Sequence, residues 1–547
     1  MANSVQLDTT AAFTGGLNLR ADQLKVAEGQ SPWMLNMDVD PSFGARSRRG
    51  WVDWQTVAAT SWNPRALYSH VLGDGSEWQF VSNTIGLSGE LWASNDGGAF
   101  VKAPGVVASA VPHGADFAPW GSDLYVACGT ANVGQEWSNG TWTALTDAAS
   151  NWSNDYTAPV GGQMPKADFV AIHDGYMWVA STLEGGNQHP HRIRFSHPND
   201  PDSWALLDYI DFPEGGGPIT GIVPYRDHLL VFFPAAVWAL YGSNPDTFAK
   251  ANVTKTVGAS NRQCLTRSES NVYFVSWPDG VYSIGPDSVT EVSESLRPSF
   301  KTGGDFNQDA SLQWLGWANQ KLYWSVPYDE DGAPSSATSV FVLDPSLGAW
   351  MLWRAGSGVA IAPITGSASS GTPLGCSRAE ATVVRLDAVE VPTDTLNGVA
   401  IDFPTVLRTA WQDSGYPTIK KRWKRPDMIV RETDIPYELT LHIFHDLEET
   451  AARRTRTMSF TPKSSGLFWV LDPQWDGTDA SLETPPAGGS WDDNSTALWG
   501  TPAKGSSLER SGGLGNAASI QMELHGELGK TWGLTALIWK SIMRRIR

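Results

Sequence analysis

The densest group of metal-ligand residue types in the chain is His189-Pro190-His191, with His197 close behind. A metal would want a further Asp, Glu or His arranged around that pair and a rigid element beneath it. Pro190 between the histidines and the neighbouring Gly185-Gly186 argue instead for an exposed loop. Nucleophilic catalysis has no frame either: there is no G-x-S-x-G elbow, and hardly any helix to supply one. Phosphate-cradling motifs, G-x-x-x-x-G-K-[ST] or G-x-G-x-x-G after a strand, are absent. A glycosidase needs two carboxylates about 5–10 Å apart, a spacing no sequence displays, and with 58 acidic residues some such pairs arise by chance. The chain therefore reads as a non-enzyme with no cofactor and no metal.

The most informative charged stretch is Lys420-Lys421-Arg422-Trp423-Lys424-Arg425. From Pro417 to Arg431 there are six basic residues and one Asp, a local +5 in a chain whose formal charge is −19. One reading is a solvated strand edge whose charges discourage aggregation. A second is contact with the acidic face of a neighbouring subunit, where complementary charge fixes register. Passing contact with DNA phosphates is the third. The tryptophans divide in the same way. Trp78, Trp178, Trp238 and Trp324 fall in strand patterns and read as core, whereas Trp469, Trp475, Trp491 and Trp499 lie in an irregular stretch where exposed rings would mark a subunit or partner interface.

These residues must be positioned by strands. Tyr225-Arg-Asp-His228 leads into the apolar run Leu229 to Phe233, a Pro-Ala-Ala corner, and a returning Val237-Trp-Ala-Leu-Tyr241. The unit recurs at Asn271, with Val272 to Ser276, a Pro278-Asp-Gly280 corner and Val281 to Ile284. Asp-Gly between β-branched and aromatic runs is a hairpin signal, because glycine accepts the positive φ of the turn. Further copies start at Glu77, Asp123, Asp174 and Gln320. A drifting period of about 40–50 residues, each carrying several strands, is the signature of propeller blades. The expectation is an all-β fold containing a β-propeller of six blades, with Leu374 to Leu386 as the candidate for a seventh. The turn Ser94 to Phe100 resembles the Asp-box turn of sialidase-type propellers, which is scaffolding.

Composition agrees with that class. The chain of 547 residues carries 27 Trp, 54 Gly and 34 Pro, while only 18% of it is charged. Gly and Pro punctuate short strands, and Trp fills the space between stacked sheets. The acidic balance argues against a sequence-specific nucleic-acid binder but not against a wall that lets nucleic acid slide past. Cys128, Cys264 and Cys376 share no C-x-x-C spacing and read as buried thiols of a reducing cytoplasm. No window approaches the apolar length of a spanning helix, and the first ten residues lack a secretory pattern, so no membrane segment is expected.

The opening does not look like a blade. Phe13-Thr-Gly-Gly-Leu-Asn18, Asp22 to Val26, Glu28-Gly29, Asn36-Met-Asp38, Phe43-Gly-Ala-Arg46 and Arg49-Gly-Trp51 chain short turns to short strands. This string resembles the opening of the tail nozzle or tail-hub family of short-tailed bacteriophages (tail tubular protein B-like, head-tail stabilisation). The resemblance continues through Arg194-Phe-Ser196, Pro201-Asp-Ser-Trp204, Ile219-Thr-Gly221 and on to Tyr282. It implies a homo-hexameric ring in the virion tail, below adaptor or portal proteins and beside tail fibres or a needle. That ring would conduct double-stranded DNA during ejection, after assembly in the host cytoplasm. It also implies a platform domain made from both chain ends. The expected division is thus 1–54 for the first part of the platform, 55–395 for the propeller and 396–547 for its second part, with a long irregular loop over 464–515. A glycan-binding or glycan-cleaving propeller of a tail fibre, and a minor tail or baseplate hub protein of a long-tailed phage, are the alternatives.

Overall fold

The computed structural model describes residues 5–543, apart from 20–25, 104–113, 148–151, 153–161, 301–304, 329–337, 424–426, 431–435, 449–451, 461–514 and a few isolated positions. Among the described residues the fold is all-β: six four-stranded sheets and the first four strands of a nine-stranded sheet repeat the same antiparallel meander. They are the seven blades of a propeller. In chain order they span 64–102, 116–144, 166–211, 221–254, 265–291, 314–353 and 361–389. Each expected unit is present, but the polar turns at Glu77, Asp123, Asp174, Asp227, Asn271 and Gln320 join a blade's first strand to its second, so every blade begins one strand earlier than the repeat suggested.

The second strands explain why the repeat was visible. In His228–Phe232, Leu229 and Val231 pack toward the third blade while Leu230 and Phe232 pack toward the fifth. Trp178 and Ala180 likewise face the fourth blade, and Met177 and Val179 face the second. A strand sandwiched between two blades is buried on both faces and reads as an unbroken apolar run rather than an alternation. The outer strands lack this signal: Thr141–Ala144 and Ala249–Thr254 are largely exposed. Of the four core tryptophans, Trp178 and Trp324 are buried, while Trp78 and Trp238 are partly buried against the interblade clusters.

The ring closes in the seventh blade. Its fourth strand is Gly50–Thr56, which pairs antiparallel with Thr382–Val389. Residues 50–54 therefore belong to the propeller rather than to the opening segment, and the candidate seventh blade at Leu374 to Leu386 is present as this blade's two middle strands, giving seven blades among the described residues. Leu374, Cys376 and Val383 then pack on Leu67, Val81 and Trp92 of the first blade.

The remaining strands come from both chain ends. Val5–Ala11, Met37–Asp40, Gly44–Ser47, Lys421–Trp423, Asp427–Val430, Gly515–Ala517 and Gly533–Met543 share one seven-stranded sheet, with Gly533–Met543 as its hub. A second set extends the sixth blade: Trp33–Leu35 lies parallel to Ala349–Trp353, followed by Val406–Arg408, Ile520–Gly526, Tyr437–His445 and Arg454–Phe460. Backbone hydrogen bonds thus run without a break from blade six into the terminal sheet. One apolar cluster, including Trp324, Trp350, Trp353, Trp423 and Trp539, fills the space behind it.

Candidate functional site at the propeller axis and the basic strand

The first strands of the blades surround a small axial cavity of about 220 Å³. It is lined from several blades at once, by Arg65 and Tyr68, Asp116, Arg262 and Thr266, Trp314 and Thr365. Glycines let the first strands come close: a Cβ on Gly221 would sit 2.3 Å from Leu265 Cδ1, and one on Gly316 would sit 2.1 Å from the Ile364 carbonyl oxygen.

A charged brace crosses the axis. Arg262, in the turn before blade five, places Nη2 2.9 Å and Nε 3.0 Å from Asp116 Oδ1 at the start of blade two. The other carboxylate oxygen accepts from the Val170 amide of blade three at 3.1 Å. Tyr68 stands beside this pair, and burial, with the Asp116 charge adding, pushes its phenol up to about 12. It stays protonated at neutral pH and acts as a polar wall. Trp314 Nε1 and Gln263 Nε2 donate to the Arg65 carbonyl at 3.2 and 3.3 Å. Arg65 itself donates from Nη1 to the Ser311 carbonyl at 3.2 Å, and Arg378 lies over the Trp314 ring at 4.5 Å. No expectation from sequence singled out these residues. They sit near the entry to a blade's first strand or between its inner strands, and only the ring brings them together.

Among the described residues no three His, Cys, Asp or Glu side chains converge as metal ligands. His189 and His191 lie on the strand Asn187–His197, not on an exposed loop, and His189 pairs in register with Thr182. Gly185 and Gly186 form the tip of that hairpin, both with positive φ. The cysteines are buried, and burial pushes the Cys128 thiol up to about 12 and raises Cys264 and Cys376 further, so none is a ready nucleophile.

The basic stretch is divided by the strand's period of two. Lys420 and Arg422 are exposed, while Lys421 and Trp423 point into the fold. Lys421 is fully buried, and its ammonium donates to the carbonyls of Tyr416, Ile419 and Ala518. Lys421 is therefore a structural residue and not part of a surface patch. Nor is this an edge strand, because Lys421–Trp423 pairs with Gly533–Met543 on one side and Gly515–Ala517 on the other. Lys424, Arg425, Trp469, Trp475, Trp491 and Trp499 lie outside the described residues.

The class this geometry defines is a seven-bladed β-propeller whose sixth blade continues into a sheet built from both chain ends. No family model matches the chain, and no curated protein is similar to it in sequence. Among solved structures, the β-propeller domain of Myceliophteria thermophila Cps50 (Swd1) is similar at a TM-score of 0.38 and 9% identity, covering 63% of this chain and 100% of that one. The fold assignment rests on the strand pairing itself. No described helix is long and apolar enough to cross a membrane.

Proposed function

We propose that the protein is a virion structural component, a ring-forming subunit of a bacteriophage tail nozzle that retains the genome and conducts it during ejection. The observation that carries this reading is the sheet continuity between blade six and the strands of both chain ends. It supports a stiff two-part body, the kind of subunit that closes into a ring through heterologous contacts. The similarity of the opening segment and of Arg194 to Tyr282 to tail nozzle proteins supports the same reading. Six copies would surround the DNA, with adaptor or portal proteins above and tail fibres or a needle as neighbours.

In this reading the duplex runs between copies and not along a propeller axis. A cavity of about 220 Å³ braced by Arg262 and Asp116 has no room for it, since the major groove of B-DNA alone is about 12 Å wide. A formal charge of −19 supports a channel wall that repels phosphates and keeps the duplex mobile. Exposed Lys420 and Arg422 are candidates for contact with an acidic face of a neighbour.

Class-averaged electron micrographs of the purified protein and of virions test the proposal. Six-fold rings at the tail are expected. A stable monomer that shortens host surface polysaccharide would overturn it in favour of a fibre propeller.

A further inference from the structure

One corner of the terminal sheets presents apolar and basic side chains together. Lys420 and Arg422 are exposed, and among the described residues neither has a carboxylate within ion-pair distance. Between them the buried Lys421 ammonium donates to the carbonyls of Tyr416 and Ala518. The Ala518 amide in turn donates to Asp446 Oδ1 at 2.6 Å, and the Asp446 amide donates to the Ser519 carbonyl at 3.1 Å. These bonds gather Tyr416, Lys420, Arg422 and the hairpin turn Asp446-Leu447 at one place. Tyr416 is 45% exposed and Leu447 46%. Leu447 is moreover held at a φ of +65°, where a leucine side chain is strained, next to Asp446 at +54°. An apolar side chain kept in water at a strained turn, beside an exposed Tyr and two cations, has the composition of a contact surface.

The complementary charge lies between blades two and three. Asp123 opens the second strand of blade two and Asp200 the fourth strand of blade three. Tyr125 pairs in register with Glu136, and Ser138 Oγ donates to Asp123 Oδ1 at 2.6 Å, so Asp123 and Glu136 share the face of blade two that carries Tyr125. Across the junction Tyr125 donates to Asp202 Oδ1 at 2.9 Å, and Ser203 donates to Asp200 Oδ2 at 2.7 Å. All four carboxylates are half-buried, and among the described residues none has a Lys, Arg or His within ion-pair distance. Burial, and then the charges of the other carboxylates, raise Glu136 and Asp202. The cluster repels itself and would gain from an outside cation.

We propose that the corner formed by Tyr416, Lys420, Arg422 and Leu447 docks on the carboxylates Asp123, Glu136, Asp200 and Asp202 of a second copy of this chain. The pairing rests on the ring-forming reading and names its two faces. Their placement in the fold supports it. The terminal sheets are built onto blade six, and the cluster lies at the junction of blades two and three. Blades four and five separate the two along one arc of the propeller, and blades seven and one along the other. Cations and carboxylates on opposite sides of one body meet only between copies. Such a head-to-tail contact closes into a ring when the rotation from copy to copy divides the circle. Complementary charge then fixes register, while Tyr416 and Leu447 supply the apolar area.

Sedimentation of the full chain at low and rising salt, with carbodiimide crosslinking of a mixture of isotopically light and heavy copies, tests this. Self-association that weakens with salt is expected, together with light-to-heavy crosslinks from the Lys420 amine to Glu136 or Asp202. Arg422→Glu and Glu136→Lys, each checked for native near-UV circular dichroism, should each weaken association about tenfold or more, and the chain carrying both changes should recover most of it. Tyr416→Ser weakens association without changing its salt dependence. A wild-type chain that stays monomeric at low salt overturns the pairing, as does association that neither charge reversal weakens. Six-fold tail rings in virions would leave the nozzle reading standing in either case, whereas association through these faces without such rings would keep the pairing and remove the nozzle.

Discussion

Arg48 and Asp394, 346 residues apart, face each other in a fully buried two-pronged ion pair, with Nη1 2.9 Å from Oδ1 and Nη2 2.7 Å from Oδ2. Asp394 also accepts from the amides of Trp51 and Gly356, each at 3.0 Å. Arg48 donates further to Asn36 Oδ1 and to the carbonyls of Arg49 and Arg354, and lies against the Trp51 and Phe403 rings. The pair locks the strand that closes blade seven, Gly50–Thr56, to the hairpin after that blade and to the turn after blade six.

Removing one partner of such a pair leaves a buried charge without its counterpart, at about 3–5 kcal/mol, whereas replacing both by apolar groups is often near neutral. Asp394→Ala and Arg48→Met are each expected to lower the urea midpoint by that order of stability. Arg48→Met with Asp394→Leu should lose less than the sum of the single changes. A double-mutant cycle from urea denaturation measures this, and additive losses would contradict the coupling.

Lys421 and Arg422 are neighbours with opposite fates. Lys421→Met strips a donor from three carbonyls and is expected to cost about 2–4 kcal/mol in chemical denaturation. Arg422→Ala, on the exposed side, should stay within about 0.5 kcal/mol while slowing incorporation into tails if the proposed contact holds. Equal effects of the two on stability would contradict the alternation of the strand.

Gly316→Ala would drive a methyl group to 2.1 Å from the Ile364 carbonyl oxygen, between the first strands of blades six and seven. Overpacking against backbone is expected to cost about 1–3 kcal/mol. Gly73→Ala, with no atom within 4 Å of the added carbon, is the control and should leave the thermal midpoint nearly unchanged.

Glu184 carries a pH dependence. Burial alone would raise its carboxyl, but hydrogen bonds from Arg194 and Thr182 and the charges of Arg194 and Arg192 outweigh it and hold the group at about 2, below the ordinary 4.5. A folded value below the unfolded one means the stabilisation is complete above about pH 4.5 and is lost as pH falls toward 2. Glu184→Gln should therefore flatten the loss of stability across that window. Denaturation at stepped pH, compared with the wild-type chain, checks it; parallel curves would contradict it.

The repeat was legible because its signal is local. Runs such as Leu229 to Phe232 and Val272 to Val275 record burial on both faces, and the polar turns at Asp174 and Gln320 record the positive φ of a tight hairpin. The seventh blade was only half legible, since its fourth strand lies more than 300 residues upstream in sequence, at Gly50–Thr56. The basic run was legible as charge and misleading as surface, because strand period hides Lys421 while exposing Arg422.

By itself the sequence determined strand propensity, turn chemistry and the blade period, all of which depend on residues a few positions apart. Only the tertiary structure decided the number of blades, the brace between Arg262 and Asp116, the buried Arg48 and Asp394, and the packing of Arg378 over the Trp314 ring. Those contacts join residues from different blades or from opposite ends of the chain. Their positions depend on how small rotations between successive blades add up to a closed circle, and no local pattern encodes that sum.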